Sequence, residues 1–449
     1  MEQVWLKSYP AGVPAEIDPD SYPSVAAMLE EVLHRHADRD AVVCLGKVLR
    51  YGDLDRLSAQ FAAWLQSLSL PRGSRVALMM PNCHAYVVAL IGVMRAGMTA
   101  VNVNPLYTPR ELEHQLKDSG AELLLVMENF AHTVEKALPQ TLVRQVVLVS
   151  MGDLLGPLKG RVTNFVVRRV KKMVPPFRLP GAIRFAEVLA QGAKRPFRKP
   201  EVLPSDLAVL QYTGGTTGTP KAVCLTHENL RSNAEMSLAW ASGTTSAGKE
   251  TFYAVLPFFH AFGMSLSLLC AVGLAATQVV LPKFGADLVL AAWKRRPATF
   301  FPGVPVMFDR LVTRARATGA NLSSCKIAVC GAAPNPLAVA QAWEEATGGT
   351  IIEGYGMTES SPIILGNPIS PARRPGTLGV PYPSTQVRLV DPEDVEREVA
   401  PGEVGELLAR GPQVFSGYWD NPEESAEVLL DGGWLRTGDL VRQEADGFY

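Results

Sequence analysis

Short apolar runs separated by amphipathic stretches set the rhythm of the first part of the chain. Runs at 75–80 and 99–103 read as buried strands, and the stretches 53–69, 82–95 and 110–118 repeat apolar residues at helical spacing. That alternation is the pattern of βαβ units. It returns after position 207, with strand-like runs near 252–256, 279–282, 299–301, 326–330 and 350–353 and helical patterns between them. Beyond 366 the texture changes. Pro and Gly punctuate short alternating runs such as 386–390 and 406–410, as in antiparallel sheets. The predicted fold class is therefore α/β: two α/β subdomains with helix-covered sheets, at 40–210 and 211–365, plus a smaller β-rich subdomain at 366–449. At 449 residues the chain is long enough for about three compact units.

The stretch 261–282 carries no charge and is long enough to resemble a membrane span, but Gly263, Gly273 and Gln278 interrupt it and it ends in a β-branched run. A buried helix followed by a buried strand is expected instead.

Composition narrows the class. With 47% apolar residues, 19% charged residues and a formal net charge of −1, the chain is globular and has no bulk electrostatic attraction to nucleic acid. Six cysteines stand singly among apolar neighbours, which fits core thiols in a reducing compartment. The first residues lack the apolar core of a secretory signal, so a cytoplasmic location is expected. Charge is strongly uneven at one place: 151–200 holds twelve Lys and Arg against Asp153 and Glu187. Interleaved Val162, Phe165, Val166, Val167, Val170 and Val174 make this either a basic amphipathic surface, suited to peripheral contact with the inner face of a membrane, or an ordinary solvated helix and loop.

Chemistry is concentrated in three motifs. Thr213-Gly214-Gly215-Thr216-Thr217-Gly218-Thr219-Pro220-Lys221 follows the strand-like run 207–210. Glycines let backbone N–H groups face an anion, threonine hydroxyls add donors and Lys221 adds full charge, so the motif reads as a polyphosphate cradle. It is not a Walker A loop, because Ala222 stands where Ser or Thr would hold magnesium. Glu353-Gly354-Tyr355-Gly356-Met357-Thr358-Glu359 ends the strand-like run 350–353, a place where open α/β sheets collect ligands. There an aromatic can lie against a base, and Glu359 can serve Mg²⁺ beside phosphates. In Trp434-Leu435-Arg436-Thr437-Gly438-Asp439-Leu440, Asp439 sits on a tight turn and can accept from the hydroxyls of a ribose.

In order and spacing these motifs resemble the adenylate-forming superfamily of acyl-CoA synthetases, luciferases and peptide-synthetase adenylation domains. The resemblance extends to His260 in Phe258-Phe259-His260-Ala261-Phe262-Gly263, to Pro302-Gly303-Val304-Pro305, to Gly331-Ala332-Ala333-Pro334, and to the segment 411–418 ending in Gly417-Tyr418. Within the superfamily the chain looks most similar to bacterial long-chain fatty-acid CoA ligases, through 101–112 and 210–215.

The resemblance implies ATP phosphates on 213–221, with Thr213, Lys221, Thr358 and Glu359 as catalytic residues and Glu359 as the Mg²⁺ ligand. It implies adenine between Gly331-Ala332-Ala333 and Tyr355, with Glu353, Gly354 and Gly356 in the same nucleotide-binding motif and the ribose on Asp439. An acyl site is implied near His260, Gly303, Val304 and Gly331. Adenylation of a fatty acid would be followed by transfer to coenzyme A; delivery to a carrier protein, or activation of medium-chain or aryl acids, are the alternatives. Ala222, where the family commonly has glycine, and the Ala-Phe-Gly sequel to His260 leave the acid open. The motif 446–449 matches the family just before its hinge, so the family's mobile C-terminal domain and its lysine are expected to be absent from this chain. A homodimer is a further expectation.

Overall fold

The computed structural model describes residues 3–213 and 220–449. Three sheets organise them. The first has seven strands in the order Ile183–Arg184, Gln145–Val149, Leu123–Met127, Arg75–Met79, Thr99–Asn102, Leu207–Thr213 and Lys221–Thr226. All neighbours are parallel except the last pair, which is an antiparallel hairpin. The second has nine strands and runs Val380–Pro381, Ile363–Gly366, Thr350–Gly356, Ile327–Cys330, Phe300–Gly303, Thr251–Ala254, Thr277–Val280, Asp40–Cys44 and Lys47–Arg50. A five-stranded sheet, antiparallel throughout, holds the β-rich part from Gln386–Asp391 to Trp434–Arg442.

The sheets do not follow the contiguous division at 40–210, 211–365 and 366–449. The hairpin Asp40–Cys44 and Lys47–Arg50 crosses to the second sheet, where Val42 pairs with Gln278, and Lys221–Thr226 closes the edge of the first. Val380–Pro381 likewise completes the second sheet's edge. These exchanges place the helix His84–Arg95 against strands of both sheets. All twelve of its residues are buried, which explains why its sequence is apolar on every side instead of on one stripe.

The uncharged stretch folds as expected. Gly263–Cys270 is a fully buried π-helical segment, and Thr277–Val280 is an interior strand between Thr251–Ala254 and Asp40–Cys44. Among the described residues no helix is long and apolar enough to cross a membrane. All six cysteines are buried and unpaired.

The basic block divides into two kinds of cation. Arg168 and Arg184 are not simply solvated: both reach Glu128, only 1% exposed, through bonds of 2.7 to 2.9 Å. They fasten the segment to the end of the strand Leu123–Met127, because a carboxylate buried this far needs ionic partners.

Candidate active site

The hairpin Leu207–Thr213 and Lys221–Thr226 sets Thr213 directly opposite Lys221 in register. The cradle residues Gly214, Gly215, Thr216, Thr217, Gly218 and Thr219 lie outside the described residues, between those two fixed points. Lys221 pairs with Glu424, and its Nζ lies 5.3 Å from the centre of the Tyr418 ring. The chain around Tyr418 runs alongside the hairpin, with the Trp419 N–H donating to Ala222 O at 2.8 Å and the Cys224 N–H to Gly417 O at 3.0 Å.

The second motif begins as an interior parallel strand and leaves it. Glu353 still pairs with Cys330, whereas Gly354, Tyr355 and Gly356 turn to antiparallel pairing with Ile363–Gly366. Gly356 is required there, since a Cβ would sit 1.8 Å from Pro362 O. Beyond it, Thr358–Ser360 forms one 3₁₀ turn carrying Glu359. Glu359 is 6% exposed; its Oε1 accepts from the Tyr418 hydroxyl at 2.9 Å and its backbone carbonyl from the Phe415 N–H at 2.8 Å. Burial, with Glu359 beside it, raises the Tyr418 phenol above its ordinary range and keeps it a donor.

The third motif meets the second. The Tyr355 hydroxyl donates to Asp439 Oδ2 at 2.6 Å, bringing the five-stranded sheet to the edge of the second one. Asp439 is otherwise exposed, so its remaining lone pairs face solvent.

Glu353 behaves differently from its neighbours. Its carboxylate accepts from Asn367 Nδ2 at 3.0 Å, it is 8% exposed, and burial raises its pKa. The side chain braces the loop that follows Ile363–Gly366, and only its backbone lies on the motif.

After the strand Ile327–Cys330 the chain turns through Ala332 at φ +64°, and the Gly331 N–H donates to Gly303 O at 3.2 Å. This turn opens one wall of a cavity of about 500 Å³ lined by His260, Val304, Gly331, Ala332, Gly354, Tyr355, Gly356 and Thr358, together with Phe262, Met307 and Met357. The nucleotide residues Ala332, Gly354, Tyr355, Gly356 and Thr358 and the acyl residues His260, Val304 and Gly331 therefore share one chamber. Gly303, Ala333, Glu353, Glu359 and Asp439 are not part of this lining, and Lys221 lines a separate cavity of about 290 Å³ with Asp118, Tyr418, Trp419 and Glu424. His260 begins the buried helical segment, its carbonyl accepting from the Met264 N–H at 2.9 Å, and partial burial lowers its pKa, so near neutral pH it presents an uncharged ring.

Among the described residues no three His, Cys, Asp or Glu converge on a metal-holding group. Glu359, a nearly buried carboxylate with one oxygen held by Tyr418, fits a cation that takes its remaining ligands from substrate phosphates. The sequence by itself assigns no role to Tyr418, Phe262, Met307 or Met357. For Tyr418 the available signal was its place beside Gly417; the others read as ordinary core residues.

Residues 29–419 match the family described as AMP-binding enzyme. The chain is 46% identical over 451 aligned positions to a long-chain-fatty-acid–CoA ligase of Yersinia pestis, an alignment covering all of this chain and 80% of that protein. Its fold is similar to the crystal structure of a long-chain-fatty-acid-CoA ligase from Archaeoglobus fulgidus, with TM-score 0.82, 26% identity, and coverage of 98% and 85%. It is also similar to an anthranilate CoA ligase in complex with anthranoyl-AMP, with TM-score 0.83, 25% identity, and coverage of 96% and 79%.

Proposed function

The chain belongs to the family of AMP-binding enzymes, and from that premise we propose how its site makes an acyl thioester from a long-chain fatty acid. The enzyme is an AMP-forming acyl-CoA synthetase that uses ATP and coenzyme A. In the first half-reaction a carboxylate oxygen of the acid attacks the α-phosphorus of ATP; the O–P bond of the acyl adenylate forms as the bond to pyrophosphate breaks. In the second, the thiol of coenzyme A loses its proton and attacks the acyl carbon. The C–S bond forms, and AMP leaves with the electron pair of the C–O bond.

The observation that carries this reading is the shared chamber, with His260, Val304 and Gly331 on the same wall system as Ala332, Tyr355 and Thr358. An apolar chain and an adenylate can then meet at one point, so that positioning accounts for much of the rate. Thr213 and Lys221 flank the cradle for the phosphates, Asp439 takes the ribose, and Tyr355 lies against adenine while orienting Asp439. Mg²⁺ would be held by Glu359 and would supply neutralisation of phosphate charge. His260, uncharged, walls the acyl site without attracting the carboxylate away from phosphorus.

Peripheral contact with a membrane through 151–200 belongs to this reading as the route by which a sparingly soluble acid arrives. The purified enzyme should be given ATP, Mg²⁺ and acids of graded chain length, with coenzyme A or an acyl carrier protein as acceptor. Chromatography should find AMP and acyl-CoA in equal amounts, with long acids preferred. Product only on the carrier protein, or preference for aryl acids, would replace the reading.

A further inference from the structure

We propose that the segment 157–173 is a membrane-docking surface that lays an apolar helix face, rimmed by cations, onto an anionic bilayer. The helix Pro157–Phe165, continued by the π-helical turn Val166–Val170, is built inside out relative to an ordinary surface helix. Its protein-facing side is small and polar. Gly160 is buried, a Cβ there would lie 2.5 Å from Gly152 O, and Asn164 Oδ1 accepts from the Gly152 N–H at 2.7 Å.

The large apolar residues point the other way. Leu158, Val162 and Phe165, at i, i+4 and i+7, are 78%, 55% and 60% exposed, followed by Val170 at 61% and Met173 at 54%. Leu45 adds to the patch from the tip of the hairpin Asp40–Cys44 and Lys47–Arg50, whose carbonyl accepts from Lys159 Nζ. Single exposed apolar residues need no explanation, but a run on one helix face marks a surface that is covered in use.

Charge selects what covers it. No Asp or Glu lies between 154 and 183. Arg168 and Arg184 are engaged by Glu128, whereas Arg161, Arg169, Lys171 and Lys172 are exposed and form no ion pair among the described residues. A second copy of this chain would bring the same positive rim face to face and be repelled. A nucleic acid would satisfy the cations and leave the aliphatic side chains in water. An anionic bilayer satisfies both, since interfacial helices bury an apolar face while flanking Lys and Arg meet lipid phosphates.

The proposal deepens the reading of 151–200 as a membrane contact, but its test involves no catalysis, so its failure and a failure of the proposed reaction are separately visible. The purified enzyme, without substrates, is sedimented with vesicles of phosphatidylcholine alone or mixed equally with phosphatidylglycerol. Partitioning should be at least tenfold higher on the anionic vesicles and should fall steeply in high salt. Replacing Arg161, Arg169, Lys171 and Lys172 together by Gln should lower it by about several hundredfold, at roughly fivefold per cation. Val162→Ser with Phe165→Ser should lower it at least tenfold with the cations intact. Circular dichroism and thermal midpoint, unchanged in both variants, would show that folding is preserved. Arg168→Gln, which removes a partner of Glu128, should leave partitioning within about twofold. Equal binding to both vesicle types, or retention by the Ser variant, would overturn the inserted face. A dimer in light scattering that the Ser variant dissolves would assign the surface to a second copy instead.

Discussion

The Tyr418 hydroxyl donates to Oε1 of Glu359 across 2.9 Å, and the same ring lies 5.3 Å from the Lys221 ammonium. One side chain thus joins the cradle lysine to the carboxylate assigned to the cation. Tyr418→Phe keeps the ring and removes only the donor. A hydrogen bond to a charged group contributes roughly 1.5–3 kcal/mol, so adenylation should slow by about tenfold or more, while Glu359→Ala should abolish it. Pyrophosphate exchange measures both. A Phe variant with unchanged exchange, at any Mg²⁺ concentration, would remove the positioning role.

Asp439 is held by Tyr355 and otherwise open to solvent, the arrangement of a carboxylate awaiting hydroxyl donors. Asp439→Ala should weaken ATP binding by about tenfold to a hundredfold, the range expected for hydrogen bonds to a charged acceptor. Titration calorimetry with ATP and with free pyrophosphate separates causes. Loss on ATP but not on pyrophosphate is the expected result, and equal loss on both would move the ribose elsewhere.

A methyl group at position 331 would stand 3.1 Å from the Phe262 ring and 3.3 Å from Gly354 O. Phe262 lines the chamber, so Gly331→Ala should push that ring inward and shorten the acids accepted. We expect the ratio of kcat/KM for long over medium acids to fall about tenfold, a change of about 1.4 kcal/mol within the range for small steric changes in apolar pockets. An unaltered chain-length profile would place the acyl chain away from Gly331.

Two buried histidines impose a pH dependence on stability. Burial pushes His84 and His227 down to about 4 from the ordinary 6.5. Between those values the unfolded chain binds protons that the folded one does not, so stability is fully present above pH 6.5 and declines as pH falls toward 4. Asp153 runs the other way. Burial, reinforced by nearby Glu128, pushes it up to about 6, so the folded state holds its proton more tightly and this single group favours the folded state at lower pH. Among these strongly shifted groups the two histidines outweigh Asp153 and leave a net loss of stability on acidification from 6.5 to 4. Denaturant midpoints across that range should show it, and the slope should flatten in His84→Gln with His227→Gln even if the variant is weaker throughout.

Motifs that keep their chemistry within a few contiguous residues were legible in the sequence. The cradle ends Thr213 and Lys221 and the buried strand-helix order follow from local spacing, because period and turn chemistry act over one or two turns of chain. Asp439, expected on a tight turn, instead stands within the strand Trp434–Arg442, where Gly438 at φ +74° marks an irregularity in its pairing that local spacing reads as a turn. What tertiary structure alone decided are the pairings between distant positions. Tyr355 and Asp439 are 84 positions apart and Tyr418 and Glu359 are 59, and nothing local to either partner specifies the other. The same holds for the hairpin at 40–50, which completes a sheet whose other strands begin at Thr251. Periodicity gives a strand's buried faces but not its neighbour, which is selected by burial summed over the whole sheet. Side-chain direction is likewise a tertiary outcome. Glu353 turned inward to Asn367 and Arg168 turned back to Glu128, whereas Phe165 and Leu158 were left facing solvent, because the groove beneath their helix admits only Gly160 and Asn164.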